Sequence, residues 1–473
     1  MKKFNLLELH DERIDVRPFS WICFDLNNET RRTINFILRD ILQKYQYKKD
    51  LINYLAEQLN CSYDTIEKYL SFRKSWFSIP LFLELLKISS KSKSKLVKEI
   101  NSNIKLLKTA GSTSQKVKAL KQLTIPLCEI AGAHAADGTL PLRINIIFKT
   151  KPELSLIDDV NKKFGRKVNV CYDSSIKHCY FTFCSNEDSI AKLLPIVKDY
   201  GCFERIKVSY FLRIVEGSKL PLEKLAKQFN NCFEIVYSPQ KFKEVGAWHL
   251  TIGNKIIIRH LIKFLGFNHG AKSNSVSIPS IIKTSSLIFN DAFVRGFLQF
   301  DGSVELDGNI NLQTKSKLMS VDLANYFNKK KIISNCSKKV DKKGCYTIKV
   351  RKKSNKDLSF LFFPGTTKYE LLTRNYSYKP ASLVVATDYL NRFSHSSMSV
   401  KLGDFLMLFN CKDKTLYELK SKISRETEVG YSTLYKYLEF LLSCDVLERY
   451  KSGKVYKYKI NSQVQKWRIP IKR

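Results

Sequence analysis

The chain has 473 residues, of which 44% are apolar and 12% aromatic, enough to build several hydrophobic cores and to exclude wholesale disorder. Lys and Arg together number 81 and Asp and Glu 44, which leaves a formal net charge of +37 at pH 7. An excess of this size predicts a polyanionic partner, most commonly nucleic acid. We find neither a long apolar run nor a secretory leader, and therefore expect a cytoplasmic protein without a membrane partner.

The 12 cysteines are scattered singly and form no Cys-x-x-Cys pair, which is the pattern of reduced, buried thiols. One cluster carries atom types that bind zinc, although its spacing matches no familiar zinc module. Its members are Cys171, His178, Cys179 and Cys184. Two β-strands joined by a turn account for the same stretch, and we favour that interpretation.

Residues 1–115 are predicted to form an α-helical domain. Two short helical periods, at 51–56 and 66–70, flank a turn after which Ser62 is the expected N-cap. This arrangement resembles the helix-turn-helix of phage-repressor-like proteins, in which the second helix contacts DNA. The alternative is a small helical bundle without that role. The candidate DNA contacts are Lys68, Arg73 and Lys74.

Residues 122–375 alternate between strand-type and helix-type segments. A unit of strand, helix, paired strands and helix is predicted to recur three times, beginning near Arg143, Arg205 and Asn309. The first half of this region is long. We therefore interpret about residues 141–202 as an insertion or a degenerate extra repeat.

Residues 385–473 are predicted to contain two helices followed by a basic hairpin that turns at Ser452-Gly453. This order resembles a winged helix, whose second helix enters the major groove while the wing contacts phosphates. The alternative is a winged domain used for protein contacts. The candidate DNA contacts are Lys436 on the helix and Arg449, Lys451, Lys454 and Lys457 on the wing.

Two similar segments, LCEIAGAHAADGTL (127–140) and AFVRGFLQFDGSV (292–304), carry the strongest chemical signal. Each is an apolar helical run with a glycine that is followed, five residues later, by Asp-Gly. Small residues allow two helices to approach closely, and the terminal glycine is expected to adopt the left-handed conformation that ends a helix. An Asp at a helix C-terminus is disfavoured by the dipole, and two facing carboxylates repel. A bound Mg²⁺ would offset both effects.

The segments IAGAHAADG and VRGFLQFDG resemble the paired motif of the LAGLIDADG (DOD-type) homing endonucleases. The resemblance implies an α+β fold built from a pseudo-symmetric pair of αββαββα repeats, whose sheets lie on double-stranded DNA. It implies that Asp137 and Asp301 are catalytic and bind Mg²⁺. The corresponding glycines are Gly132 and Gly296 at the close-packing positions and Gly138 and Gly302 at the helix ends. Two motifs in one chain imply a monomer that makes a staggered double-strand break.

In this family, lysines from the sheets lie beside the metals. Aligning AWHLTIGNK with CYTIKVRKK pairs Lys255 with Lys353, each just after a strand, as candidate catalytic residues. Lys315, which follows INLQT, is a candidate DNA contact. The motifs depart from the family's small residues at several positions. These are His134, Phe297, Gln299 and Phe300.

Two other functions are compatible with the same sequence. One is a non-catalytic DNA-binding transcriptional regulator on this scaffold, which the two flanking modules suggest. The other is an RNA-splicing maturase, whose partner would be intron RNA. We favour the nuclease over the regulator because a regulator has no need to retain both Asp137 and Asp301.

Overall fold

The structure is a computed structural model in which part of the chain is described. The described residues are 3–11, 20–45, 47–111, 114–148, 155–156, 158–159, 162, 169–173, 178–185, 203–242, 247–268, 274–304, 309–337, 339–351, 357–373, 414–423, 434–435, 438–439, 441–442, 446–453 and 455–461. Lys353, Lys436 and Lys454 lie outside these ranges, as do residues 385–413 of the predicted C-terminal domain.

The N-terminal region combines helices with a four-stranded antiparallel sheet, so the prediction of an all-helical domain is wrong. Its strands, in the spatial order β2-β1-β3-β4, are β1 (Ile22–Asp25), β2 (Trp76–Ser78), β3 (Leu106–Thr109) and β4 (Val117–Lys118). Its helices are α1 (Asn28–Leu42), α2 (Lys48–Gln58), α3 (Tyr63–Leu70), α4 (Ile79–Ile88) and α5 (Lys93–Asn103). Each strand has four residues or fewer and pairs mostly with distant segments, so no local periodicity reveals it.

The two short helices expected in this region are present as α2 and α3. Asn60, in the turn between them, has a positive φ of 46°. Ser62 is the N-cap of α3, because its Oγ accepts a hydrogen bond of 3.3 Å from the Thr65 amide. The apolar faces of both helices are buried, and the assignment of this pair as a DNA-binding helix-turn-helix stays a prediction.

The central region contains two units of the same topology. The first consists of α6 (Ile125–Asp137), β5 (Gly138–Thr139), β10 (Leu212–Glu216), α7 (Lys219–Phe233), β11 (Gln240–Lys241), β12 (Trp248–Ile252) and α8 (Lys255–Leu265). Its antiparallel sheet has the strand order β11-β12-β10-β5. A short helix, α9 (Ser280–Lys283), leads to the second unit.

The second unit repeats this order of elements. It consists of α10 (Leu287–Asp301), β13 (Ser303–Val304), β14 (Ile310–Thr314), α11 (Lys317–Lys329), β15 (Ser334–Cys336), β16 (Tyr346–Val350) and α12 (Thr367–Thr373). Its sheet order, β13-β14-β16-β15, is the order of the first sheet read from the opposite edge. In the first unit Leu212 of β10 pairs with Ile252 of β12, and in the second unit Ile310 of β14 pairs with Val350 of β16. Each residue of the second pair lies 98 positions after its counterpart in the first pair. The predicted α+β class is confirmed.

A separate antiparallel sheet interrupts the first unit. Its strands, in the spatial order β7-β8-β6-β9, are β6 (Leu142–Phe148), β7 (Asn169–Asp173), β8 (His178–Ser185) and β9 (Phe203–Tyr210). Three of its strands follow the spatial order found in the two units, because β7-β8-β6 corresponds to β11-β12-β10 and to β15-β16-β14. The fourth strand, β9, lies beside β6 as β5 lies beside β10 and β13 beside β14, but it follows the other three along the chain, whereas β5 and β13 precede theirs. This strand order supports the expected threefold recurrence, and the choice between an insertion and a degenerate extra repeat for residues 141–202 stays a prediction. Asp137 and Asp301 are 164 positions apart, whereas equivalent residues of the two central sheets are 98 positions apart. The difference of 66 positions arises because this extra sheet lies between β5 and β10 along the chain. β7 and β8 confirm the hairpin that we favoured over a zinc module.

The N-terminal region packs directly on α8 of the first unit. The rings of Phe4 and Phe264 stack with centroids 4.4 Å apart. Arg259 is fully buried and donates hydrogen bonds to the Leu9 carbonyl at 2.7 Å and to the Tyr210 hydroxyl at 3.2 Å. A guanidinium without solvent requires such partners, so this contact ties the two regions together.

The C-terminal region contains a small three-stranded sheet with a helix. The elements are β17 (Lys414–Thr415), α13 (Leu416–Ile423), β18 (Leu447–Ser452) and β19 (Val455–Ile460), and the strand order is β17-β19-β18. Thr415 and Glu418 form a reciprocal capping box at the start of α13. The predicted hairpin is confirmed, with Gly453 at a φ of 64° in its turn. The winged-helix assignment stays a prediction.

Candidate active site at the two motif helices

The helices α6 and α10 carry the two sequence motifs and pack against each other. Thr124 is the N-cap of α6, because its Oγ1 accepts a hydrogen bond of 3.3 Å from the Leu127 amide, and Pro126 lies in the first turn of the helix. Both helices are buried around most of their circumference, which is the pattern of central helices rather than surface helices.

Gly132 and Gly296 lie where the two backbones come closest. A Cβ atom added to Gly132 would stand 2.0 Å from the Phe293 carbonyl oxygen, and one added to Gly296 would stand 2.1 Å from the Glu129 carbonyl oxygen. Each glycine thus faces a carbonyl of the other helix, and in both cases that carbonyl belongs to the residue three positions before the partner glycine. The contact is reciprocal, and only a residue without a side chain fits at either position.

Gly138 and Gly302 follow the helices in extended backbone, so the predicted left-handed caps are wrong. Their φ and ψ angles are −74° and 146° for Gly138 and −75° and 146° for Gly302. The chain passes directly from each helix into a strand, β5 or β13, which requires extended backbone. Glycine is needed here for space, because a Cβ atom would come within 2.8 Å of the His134 carbonyl oxygen or 2.7 Å of the Leu298 carbonyl oxygen.

Asp137 and Asp301 are the last residues of α6 and α10, and both are exposed. Each follows its motif glycine by five residues, which corresponds to about 7.5 Å along a helix axis. The two motif helices thus have the same three features in the same order along the chain. These are a glycine at the helix contact, an exposed aspartate at the helix end, and a glycine in extended backbone after it. The negative end of the helix dipole makes both positions unfavourable for a carboxylate without a cation.

The donor chemistry at these helix ends suits a hard divalent cation. The described part of the chain brings together no cluster of three or more His, Cys, Asp or Glu residues. Mg²⁺ does not require one, because it is commonly bound by one or two carboxylates together with water and substrate phosphates. Asp137 and Asp301 supply that type of ligand.

Lys368, which the sequence analysis missed, lies at the C-terminal end of α10. Its buried ammonium group donates hydrogen bonds to the carbonyl oxygens of Gln299 at 2.5 Å and Leu298 at 3.4 Å. These carbonyls belong to the last turn before Asp301, where a cation offsets the helix dipole. The one sequence signal was a lysine within the apolar stretch FLFFPGTTKYELL.

The polar departures from the motif pattern have structural partners or packing contacts. The Gln299 Oε1 atom accepts hydrogen bonds of 3.1 Å from the Phe363 amide and from the Thr366 hydroxyl. The imidazole of His134 is buried and packs edge-on against Phe267, with ring centroids 4.5 Å apart. Gln299 therefore anchors α10 to the segment that leads into α12.

Glu129 introduces a buried charge into the helix interface. Its Oε1 atom pairs with Nη1 of Arg295 at 2.5 Å, and its side chain is only 4% exposed. Burial raises the pKa of Glu129, whereas the Arg295 charge and hydrogen bond lower it. Arg295 also donates from Nε to the Phe360 carbonyl at 2.8 Å, which fixes the guanidinium in place.

Lys255, a predicted catalytic residue, is the first residue of α8. Its Nζ atom donates a hydrogen bond of 2.8 Å to the Ser20 carbonyl and lies 5.7 Å from the centre of the Tyr210 ring. These contacts join α8 to the N-terminal region. Its proposed counterpart, Lys353, lies outside the described residues, although the strands before the two lysines, β12 and β16, occupy equivalent places in their sheets. The catalytic role of the pair stays a prediction.

The predicted DNA contacts lie in three separate regions. Lys68 and Arg73 are exposed, while Lys74 is half-buried. Lys315 is exposed directly after β14. In the C-terminal hairpin, Lys451 is exposed and Lys457 is half-buried. Arg449 forms an ion pair of 2.7 Å with Glu439.

Each central sheet has one apolar, buried face and one polar, exposed face. The polar faces carry hydrogen-bonding side chains of the kinds that can contact base edges and phosphates. The exposed members are Thr139, Arg213, Gln240 and Lys241 on the first sheet and Ser303, Gln313, Asn335 and Lys349 on the second. Within the described ranges, none of the helices combines the length and the apolarity needed to cross a bilayer.

No protein-family profile matches this sequence, and no curated protein matches it either. Among solved structures, mesophilic variants of the homing endonuclease I-DmoI match with a TM-score of 0.27 and 10% identity over 48% of this chain and 88% of that chain. I-DmoI in complex with DNA and Mn gives 0.26 and 11% over 48% and 92%. I-DmoI G20S with its target DNA and Mg gives 0.26 and 9% over 49% and 93%.

Proposed function

We propose that the protein is a Mg²⁺-dependent, site-specific DNA endonuclease with two LAGLIDADG-type repeats in one chain. The reciprocal contact of Gly132 and Gly296 supports this function best, because each glycine belongs to a helix that ends in an exposed aspartate. The product is a staggered double-strand break, with one aspartate serving each strand.

The two units supply the pseudo-symmetry that cutting two strands requires. Their elements follow one another in the same order, and the central strands of both sheets pair in matching register. The two strands of DNA are related by approximate two-fold symmetry, so cutting both of them calls for two similar half-sites. One chain that contains both half-sites can act as a monomeric nuclease. The units differ in many side chains, which favours a long and mostly asymmetric recognition site.

Asp137 and Asp301 would hold the metal through hard carboxylate oxygens at the helix C-termini. A bound divalent cation supplies positive charge at the phosphate and lowers the pKa of a bound water. Asp137 and Asp301 would hold such an ion, and its charge would offset the unfavourable position of each carboxylate at the negative end of a helix dipole. Lysines such as Lys255 and Lys353 are candidates to stabilise developing phosphate charge.

The exposed sheet faces would lie on the DNA and read its sequence. They carry hydrogen-bonding side chains, and the net charge of +37 supplies attraction to the phosphate backbone. The N-terminal helix pair and the C-terminal hairpin would contact flanking DNA. We expect these modules to add affinity rather than chemistry, because the motif aspartates and both candidate lysines lie in the central region.

A cleavage selection tests this function. The protein is incubated with Mg²⁺ and a library of duplex sites, and the new DNA ends are sequenced. We expect staggered ends at one site family, and we expect Asp137→Asn and Asp301→Asn to bind that site without cutting both strands. Asp50→Asn, an exposed acid on α2, serves as the control and should cut normally. Binding of duplexes without cleavage would identify a regulator, and preference for intron RNA would identify a maturase.

A further inference from the structure

Four lysines surround a tryptophan and a tyrosine on one side of the N-terminal sheet. We call the set of Lys68, Lys74, Trp76, Lys108 and Lys116 the Trp76 patch. Trp76 begins β2, Lys108 lies in β3 and Lys116 directly precedes β4. Lys68 and Lys74 come from α3 and the loop after it. The patch therefore exists only in the folded sheet.

Two aromatic rings hold three of these four ammonium groups in place. Lys108 and Lys116 lie 4.9 and 5.8 Å from the centre of the Trp76 ring, and Lys74 lies 4.1 Å from the centre of the Tyr69 ring. Cation–π contacts of this kind restrict the lysine side chains, so that the side chains lose less conformational entropy when an anion binds. The ammonium groups are thus presented as an ordered group.

The patch concentrates positive charge without a matching carboxylate. Burial lowers the pKa of Lys74, and the nearby charges of Lys68 and Lys108 lower it further. None of the four lysines forms an ion pair with any carboxylate of the described residues. Asp25, opposite Trp76 in the sheet, instead accepts hydrogen bonds from the Lys105 and Leu106 amides and from Asn27. Crowding of like charges is unfavourable, and a bound polyanion would relieve it.

The geometry favours a duplex backbone over a single strand. A single-stranded nucleic acid is usually held by bases stacked on open aromatic faces. The ammonium groups of Lys108 and Lys116 already lie next to the Trp76 ring, and Trp76 itself is half-buried, which leaves little of the ring open for a base to stack on. The ring therefore orients ammonium groups, which bind phosphates rather than bases.

We propose that the Trp76 patch binds the phosphate backbone of double-stranded DNA through Lys74, Lys108 and Lys116. The proposal rests on the proposed DNA partner but not on cleavage. It places N-terminal DNA contacts on a sheet face, in addition to the contacts expected on α3 and the residues that follow it. The additional contacts are residues that no helix-turn-helix pattern would select.

The test compares Lys108→Gln/Lys116→Gln with a matched control. Lys118→Gln removes the same type of charge two residues further along, but Lys118 is already paired with Glu234 at 2.9 Å. Binding of the full chain to a random DNA duplex is measured by fluorescence anisotropy between low and physiological salt. We expect the double variant to flatten the slope of log K against log salt by about 0.9 for each phosphate that is no longer neutralised. The control should keep the wild-type slope, and Lys108→Arg/Lys116→Arg should restore it.

Three results would overturn the proposal. They are an unchanged slope in the double variant, an equal change in the Lys118→Gln control, and a larger loss of affinity for a single strand than for the duplex. Thermal unfolding checks that the variants fold, and the exposed Lys116→Gln alone is used if the double variant does not. Failure of the nuclease proposal is separate, because a wild-type chain that cuts no DNA can still show the predicted change of slope.

Discussion

Glu129 of α6 and Arg295 of α10 form an ion pair that occurs only once in the interface between the motif helices. The positions that correspond to them by the 164-residue offset are Phe293 and Ala131, which cannot form a second pair. The backbone contacts of the two glycines are reciprocal, whereas this charge contact is not. The two helices are consequently distinguishable, and the interface specifies pairing of α6 with α10 rather than of two identical helices.

Removing one partner of this pair should destabilise the fold. Arg295→Met leaves the Glu129 carboxylate buried without its cation, and we expect a decrease of about 3–5 kcal/mol in the free energy of unfolding near neutral pH. The pKa of Glu129, already raised by burial, should rise further. Because a raised folded-state pKa favours the protonated form, the decrease should shrink as the pH falls towards the ordinary pKa of Glu. Urea unfolding at several pH values measures this.

The double variant Glu129→Leu/Arg295→Met provides the control for the ion pair. It removes both charges and leaves an apolar interface, so most of the stability should return. A double variant no more stable than Arg295→Met would show that shape, rather than charge, accounts for the destabilisation.

Alanine at either motif glycine should prevent close packing of α6 and α10. Gly132→Ala and Gly296→Ala would each place a Cβ atom about 2 Å from a carbonyl oxygen of the partner helix. Overpacking of this kind costs about 1–3 kcal/mol or more. Gly253→Ala is the matched control, since it meets nothing within 4 Å and has no positive φ. Equal melting temperatures for all three variants would contradict the helix geometry.

Lys368 should stabilise the C-terminal end of α10. Lys368→Met removes an ammonium group from two helix carbonyls that are buried beside it, and charged hydrogen bonds of this kind contribute about 1.5–3 kcal/mol. Lys317→Met, at the exposed start of α11, should leave stability unchanged. Chemical denaturation of both variants distinguishes a buried cap from a general effect of removing a positive charge.

His260 should make the fold sensitive to acid. It is buried between Phe233 and Phe264, and burial lowers its pKa from 6.5 to about 4. The unfolded state therefore binds more protons between these pH values, so stability falls as the pH drops through this window by about 1.4 kcal/mol per unit. His260→Leu should remove this component. Parallel stability profiles for the wild type and the variant between pH 6.5 and 4 would contradict it.

Deletion of residues 1–115 should impair folding of the first central unit. The deletion removes the Leu9 carbonyl from the buried guanidinium of Arg259 and the Phe4 ring from Phe264. A buried charge without its partner is costly, and apolar surface becomes exposed. A chain that ends after residue 385 keeps these contacts and is the control. Circular dichroism and gel filtration would detect a well-folded 116–473 fragment, which would show that this interface is dispensable.

The sequence by itself determined the local features of this protein. Periodicity located the helices α2, α3, α6 and α10 and the strands β12, β14 and β16, because each has a pattern of its own. The paired Gly and Asp-Gly motifs were visible because close packing of two helices demands glycine at particular positions. The net charge predicted a polyanionic partner without reference to any fold.

Only the tertiary structure decided which distant segments meet. The N-terminal sheet joins strands of two to four residues, too short for a periodic signal, and its pairing brings Trp76 beside Lys108 and Lys116. The extended backbone at Gly138 and Gly302 follows from the strands that begin there, which no helix-capping rule contains. Lys368 reaches the end of α10 from about seventy positions downstream in the chain. Non-local contacts depend on loop closure and core packing, so their partners cannot be read from neighbouring residues.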